Sequence, residues 1–92
     1  MEGGMADKRV TVFITKYALT SGVKMMNGTI GRDTPSMVSG YNIFDNFHGE
    51  GKEWHRTWND AHTRAEVMRL EKIPSLRAQI KRLEAMTFTE PT

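Results

Sequence analysis

The sequence predicts an α+β fold in which a small antiparallel sheet of three to four strands packs against one long or Pro-kinked C-terminal helix. β-branched and aromatic residues alternate with a period of two near the N-terminus, turn residues separate the segments that follow, and apolar residues recur at helical spacing from residue 57 onward. Strands followed by a helix are typical of the α+β class. Because the apolar stripe of this helix is the only surface long enough to cover the sheet, we expect the helix to lie on it.

The first strand has the clearest signal. Every residue from 10 to 15 is β-branched or aromatic, as pleated strands prefer. One face of this strand would carry Val10, Val12 and Ile14, and the other face Thr11, Phe13 and Thr15.

Weaker patterns predict the rest of the sheet. Residues 17–22 end in a turn signal, and residues 23–31 form a second strand that contains the turn-favouring pair Asn-Gly. We interpret residues 32–40 as a loop and residues 53–56 as a short fourth strand. The third strand is marked by Tyr41, Ile43 and Phe47, with Phe44 on its other face.

A helix is predicted from Thr57, because Asp60 follows three residues later as in a capping box. Pro74 lies inside the helical pattern, where it removes a backbone donor and clashes with the preceding turn. The sequence therefore leaves two alternatives open, one kinked helix ending near residue 86 or two helices over 58–72 and 75–86. The apolar stripe comprises Ala61, Ala65, Met68, Ile73, Leu76, Ile80 and Leu83.

The chain length allows one domain, which we place at residues 9–86. We expect residues 1–8 to be a disordered leader and residues 87–92 a short tail. The core is expected to be thin and to include several methionines, namely Met25, Met26 and Met68.

Composition excludes several classes of protein. A chain of 92 residues buries too little surface for a deep multi-domain active site. Since it has no cysteine, it has no disulfide framework, thiolate zinc site, iron–sulfur cluster or cysteine nucleophile. No apolar run approaches the roughly 20 residues of a membrane span, and no signal peptide follows Met1. We expect a soluble, intracellular protein.

No motif predicts catalysis. His48, His55 and His62 are spaced by seven residues, but the glycines at 49 and 51 interrupt any common helix and the spacing is not that of a zinc protease. The string HGEGK lacks the first glycine and the Ser or Thr of a phosphate-binding loop. We therefore expect no enzyme activity, no metal and no cofactor.

The segment WHRTW at 54–58 is the densest group of aromatic and basic residues. Trp54 and Trp58 would stack on nucleic-acid bases while Lys52 and Arg56 bind a phosphate. Alternatively, Trp58 belongs to a hydrophobic staple before the helix and Trp54 fills the open end of the sheet, which leaves Arg56 as a surface cation on an aromatic ring. The same residue types also dominate protein interfaces.

The helix carries a local excess of positive charge although the whole chain has a net charge of only +2. Five cations face one acid, Glu71, over fourteen residues, giving +5 − 1 = +4. A solvated helix face and a polyanion-binding patch both explain this segment. The five cations are Arg69, Lys72, Arg77, Lys81 and Arg82.

Three strings, TKYALTSG at 15–22, NFHGEGKEWHRTW at 46–58 and KIPSLRAQIKRLEAM at 72–86, resemble a family of small phage and prophage proteins. Within that family the chain resembles the type I-F anti-CRISPR proteins. The resemblance implies a stoichiometric inhibitor, without enzymatic activity, that binds the host RNA-guided surveillance (Csy) complex in the bacterial cytoplasm and blocks its pairing with target DNA.

The resemblance, joined to the charge pattern, gives a set of candidate contact residues. Basic residues would meet the guide RNA and acidic protein surface, and acidic residues would meet basic subunit surface. The basic and aromatic candidates are Lys52, Trp54, Arg56, Arg69, Lys72, Arg77, Lys81 and Arg82, and the acidic candidates are Glu50, Glu53 and Glu71. The alternative functions are a phage accessory nucleic-acid-binding protein or small regulator, and a metal-dependent hydrolase using the three histidines.

Overall fold

The computed structural model describes residues 9–42 and 45–92, and it confirms the α+β class. The described chain forms five strands, one short helix and one long C-terminal helix. In chain order these are β1 (Arg9–Ile14), α1 (Ala18–Ser21), β2 (Lys24–Ile30), β3 (Met37–Ser39), β4 (Asn46–His48), β5 (Trp54–His55) and α2 (Trp58–Glu84).

The sheet is antiparallel with the strand order β4-β3-β2-β1-β5, so the described strand count is five where three to four were predicted. β1 pairs with β2 along its whole length, from Arg9 opposite Thr29 to Ile14 opposite Lys24. β5 joins the free edge of β1, where Ile14 faces Trp54. The chain therefore brings residues 54–55 beside the first strand, and the long helix starts at that edge.

A single third strand was predicted around Tyr41, and this prediction is wrong. Two shorter strands, β3 and β4, take its place. β3 lies inside the segment interpreted as a loop, and Tyr41 lies outside both strands with its exposed ring 3.8 Å from the guanidinium carbon of Arg9. Three-residue strands are too short to produce a visible alternation, so only their pairing in space defines them. Phe47 does lie in a strand, β4, whereas Ile43 and Phe44 fall outside the described residues.

The sheet is curled, and the side chains on one of its faces pack against each other to form the core. Val12 and Ile14 are buried on that face of β1 as the alternation predicts, and Met26 lies half-buried beside them. Met25, on the other face of β2, is 71% exposed, so its predicted place in the core is wrong. The core comprises Val12, Ile14, Val38, Phe47 and Trp54, with Val10, Met26 and Ile30 packed against it.

α2 is one continuous helix of 27 residues, so the two-helix alternative is wrong. Thr57 caps it as predicted, since its hydroxyl oxygen accepts the backbone N–H of Asp60 at 3.1 Å. Pro74 lies in an exposed stretch, where water can bond the carbonyl that lost its partner. The helix therefore continues through the proline and ends at Glu84.

The expected cover of the sheet by the apolar stripe of α2 is also wrong. The first turns of α2 pack on the sheet face opposite the core, where the Trp58 ring meets Phe13 edge-on at 6.1 Å and Ala61 is fully buried. From Pro74 to Thr92 every residue is exposed. Because the curled sheet fills its core with its own side chains, the distal half of α2 has nothing to cover and the molecule extends to 74 Å.

Candidate binding surface

The turn between β4 and β5 holds three of the predicted contact residues, namely Glu50, Lys52 and Glu53. Gly49 and Gly51 have φ angles of 89° and 92°, a region that favours glycine over residues with a Cβ atom. Lys52 follows on the outside of this turn and is exposed. The Glu53 carboxylate accepts the backbone N–H of His48, in β4, at 2.8 Å and lies 3.9 Å from the Lys16 ammonium.

Arg56 and Glu50 form an ion pair across this turn. The Nε of Arg56 donates to a carboxylate oxygen of Glu50 at 2.7 Å, and both side chains stay about half exposed. The guanidinium carbon of Arg56 also lies 5.6 Å from the centre of the Trp54 ring. Glu50 is therefore partly neutralised, and this ion pair uses the Nε of Arg56.

Trp54 is a core residue and not a stacking platform. Its side chain is fully buried, and its indole N–H donates to the backbone carbonyl of Ser36 at 2.7 Å. The structure therefore favours the packing interpretation of Trp54, which we remove from the set of contact residues. The exposed ring of this segment is Trp58, at 53% exposure, which also contacts the His62 ring at 5.7 Å.

His55 is buried behind the same turn in a defined tautomer. The hydroxyl of Thr15 donates to the backbone carbonyl of Lys52 at 2.6 Å, so its oxygen is left to accept the Nε2–H of His55 at 2.9 Å. Burial lowers the pKa of His55 below its ordinary value, a shift that the nearby carboxylate of Asp60 opposes. His55 is thus a neutral structural residue that ties β5 to the end of β1.

An open cleft of about 460 Å³ lies between the β4–β5 turn and the first turns of α2. Arg64 contributes a buried Nε atom that has no hydrogen-bond partner among the described residues. Arg64 was not among the residues predicted from the sequence, although Asp60 and Arg64 are spaced i, i+4 and therefore share one face of α2. The cleft is lined by Glu50, Gly51, His55, Arg56, Asp60, Thr63, Arg64 and Val67.

The five basic residues of α2 that follow Arg64 divide into one that is paired and four that are not. Arg69 donates two hydrogen bonds to the same carboxylate oxygen of Glu66, at 2.6 and 2.8 Å. No ion pair joins the other four to an acid within 9–42 and 45–92. These exposed cations are Lys72, Arg77, Lys81 and Arg82.

The four unpaired cations do not form one compact patch. With 3.6 residues per turn, Lys72 lies on one side of the apolar stripe and Arg77 and Lys81 on the other, while Arg82 points to the far side of the helix. The positive charge therefore surrounds the distal part of α2. Glu71 belongs to the same exposed region.

The three histidines lie in separate environments. His48 is exposed on the edge strand β4, His55 is buried, and His62 stacks on Trp58 with its Nε2 at 3.7 Å from Glu66. No group of three or more metal-ligating side chains occurs in the described part of the chain. Within the same residues, neither helix is both long and apolar enough to cross a bilayer.

Comparison of the chain with the profiles of known protein families, with curated protein sequences and with solved structures finds no match.

Proposed function

We propose that this protein is a phage anti-CRISPR protein that acts in the host cytoplasm, where it binds the type I-F surveillance complex stoichiometrically and blocks hybridisation with target DNA. It acts by occupying a surface and not by catalysis. The observation that carries the proposal is the distal part of α2, an exposed helix with four cations that form no ion pair with the described residues.

An exposed cationic helix is suited to a polyanion held on a protein scaffold. Lys and Arg bind backbone phosphates without reading sequence, and each phosphate contact releases counterions. In an RNA-guided complex the guide strand lies in a positively charged channel. A helix inserted there meets RNA phosphates with Lys81 and Arg82, and nearby acids such as Glu71 meet basic protein surface.

The β4–β5 turn supplies a second, mixed-charge contact region. Lys52 is exposed and forms no ion pair with a described residue, and Arg56 is preoriented by Glu50. The adjacent cleft holds the Nε of Arg64, which has no hydrogen-bond partner in the same part of the chain. A surface that alternates acids and bases suits a protein subunit, because complementary charges fix its register. We therefore assign the turn to subunit contact, and Trp58 takes the exposed aromatic position first assigned to Trp54.

Co-elution with the purified type I-F complex, followed by measurement of its target-DNA binding, tests the proposal. The wild-type protein should co-elute and reduce DNA binding in proportion to its occupancy. If it fails to co-elute, or leaves DNA binding unchanged, the proposed function is wrong. Salt-dependent micromolar binding to free RNA or DNA without the complex would instead support an accessory nucleic-acid-binding protein.

Matched charge removals test the role of the helix. Lys81→Gln removes an unpaired cation, so it should weaken binding and lower the slope of log affinity against log salt by about 1 if Lys81 contacts a phosphate. Arg69→Gln removes the same charge from a residue already held by Glu66, and should have a smaller effect. Equal effects of the two substitutions would contradict the assignment.

A further inference from the structure

The apolar side of α2 continues past the end of the folded body. Ile73, Leu76, Ile80 and Leu83 fall within an arc of about 80° on a helix with 3.6 residues per turn. Leu76 and Leu83 follow Trp58 and Ala65 by about five full turns, so they project to the same side as the residues that pack at the start of the helix. We call these four residues the distal stripe.

Three of the four residues of the distal stripe are exposed, and Ile73 is half-buried. Leu76, Ile80 and Leu83 are 43%, 54% and 63% exposed, and no residue from 74 onward is buried. A single exposed leucine is ordinary, but an aligned row of aliphatic side chains marks an interaction surface. Cations flank the row on both sides, with Lys72 on one side and Arg77 and Lys81 on the other.

A second copy of the chain does not fit this stripe. With Ile73 and Ile80 as heptad a positions and Leu76 and Leu83 as d positions, a parallel pair would place Lys72 opposite Arg77 of the other copy. An antiparallel pair that aligns Leu76 with Ile80 would bring the two Arg77 side chains together. Like charges thus oppose each other in both orientations, and two heptads are fewer than a coiled coil normally uses.

RNA does not fit the stripe either. Proteins bind unpaired bases by stacking aromatic rings or guanidinium planes on them, and the distal stripe is wholly aliphatic. Its chemistry suits the side chains of a protein groove, which exclude water from Leu and Ile. The flanking cations require acidic groups along both rims of such a groove.

We propose that the distal stripe docks into an apolar groove on a protein subunit, and that Asp and Glu side chains on the rims of the groove pair with Lys72 and Arg77. This inference rests on the proposed function, since the subunit belongs to the surveillance complex. The groove of the subunit holds the helix by its apolar side. Lys81 and Arg82, which do not pair with the rims, bind guide-RNA phosphates.

Substitutions to glutamine on the two sides of the helix test the docking. About half of the Leu76 and Ile80 surface remains to be buried, so Leu76→Gln should weaken binding to the complex by about 3- to 10-fold and the double variant with Ile80→Gln by about 10- to 100-fold. Ala78→Gln, which lies away from the stripe, is the matched control and should bind as the wild type does. Glutamine is nearly as favourable in a helix as leucine, so circular dichroism should show unchanged folding.

The salt dependence of binding and photocrosslinking together identify the molecule that contacts the distal stripe. The loss caused by Leu76→Gln/Ile80→Gln should persist at high salt, whereas the loss caused by Lys81→Gln should shrink. A photoreactive Ile80→p-benzoylphenylalanine variant bound to the complex should crosslink to a protein subunit. A crosslink to guide RNA, or a wild-type dimer that the double variant abolishes, would overturn the docking proposal.

The result also separates this inference from the proposed function. Wild-type inhibition of target-DNA binding together with undiminished affinity of Leu76→Gln/Ile80→Gln would reject the groove and leave the inhibitor in place. Failure of the wild-type protein to bind the complex would reject both.

Discussion

Replacing Trp54 with phenylalanine should destabilise the fold strongly, because Trp54 is the largest fully buried side chain of the described core. The substitution removes the hydrogen bond from the indole N–H to the Ser36 carbonyl, a net loss of about 1 kcal/mol. The smaller ring also leaves a void in the curled sheet, which costs roughly 1–2 kcal/mol. The sum is about 2–3 kcal/mol, which lowers Tm by about 10–20 °C for a domain of this size.

Trp58→Phe is the matched control for this substitution. The chemical change is the same, but the Trp58 side chain is 53% exposed and meets Phe13 only edge-on. Trp58→Phe should therefore lower the free energy of unfolding by less than about 1 kcal/mol, as surface substitutions usually do. Thermal and urea unfolding followed by circular dichroism measure both variants.

Equal destabilisation by the two variants would refute the assignment of Trp54 to the core. So would a Trp54→Phe variant with wild-type stability and weakened binding to the surveillance complex, since that result would make Trp54 a contact residue. The expected pattern is the reverse, with Trp54→Phe losing stability and, at a temperature where it is folded, keeping its affinity.

Three further predictions concern stability and use the same unfolding measurements. Gly28→Ala should cost about 1–3 kcal/mol because the added Cβ would lie 2.7 Å from the backbone oxygen of Ser39, and a variant as stable as the wild type would contradict that close approach. Thr57→Ala should cost about 1 kcal/mol through loss of the helix cap, whereas Thr63→Ala inside the helix should cost nothing. Burial lowers the pKa of His55, so the unfolded chain binds more protons there and the free energy of unfolding should fall as the pH drops through about 6.5. His55→Gln should make the free energy of unfolding depend less on pH. An unchanged pH profile would show that another group causes the dependence.

Much of the fold followed from short-range patterns. The alternation of residues 10–15 predicted both β1 and the buried side of that strand, and Thr57 with Asp60 predicted where α2 begins. These features depend on neighbours within a few residues, so the sequence carries them directly. β3 was missed and only Phe47 of β4 was predicted in a strand, because each of these strands has only three residues and is defined by pairing with segments distant in sequence.

The candidate site was predictable only in part. The cations of α2 were visible as a charge excess, but only side-chain geometry separates Arg69, which pairs with Glu66, from those without an ion pair among the described residues. The latter are Lys72, Arg77, Lys81 and Arg82. The role of Trp54 could not be decided from its neighbours, because an aromatic residue beside basic ones suits both a core and a stacking surface. Arg64 escaped notice because its cleft is formed by two segments that meet only in the folded chain.

The sequence by itself determined the class of the fold, the start of the long helix and the apolar stripe along it, since all three depend on local periodicity and capping. Only the tertiary structure decided what each apolar face covers. The sheet curls and fills its core with Phe47 and Trp54, so the helix is needed only at its first turns. The same stripe that periodicity assigns to the core is therefore left exposed beyond Ile73, because burial depends on which surfaces meet and not on the pattern of one segment.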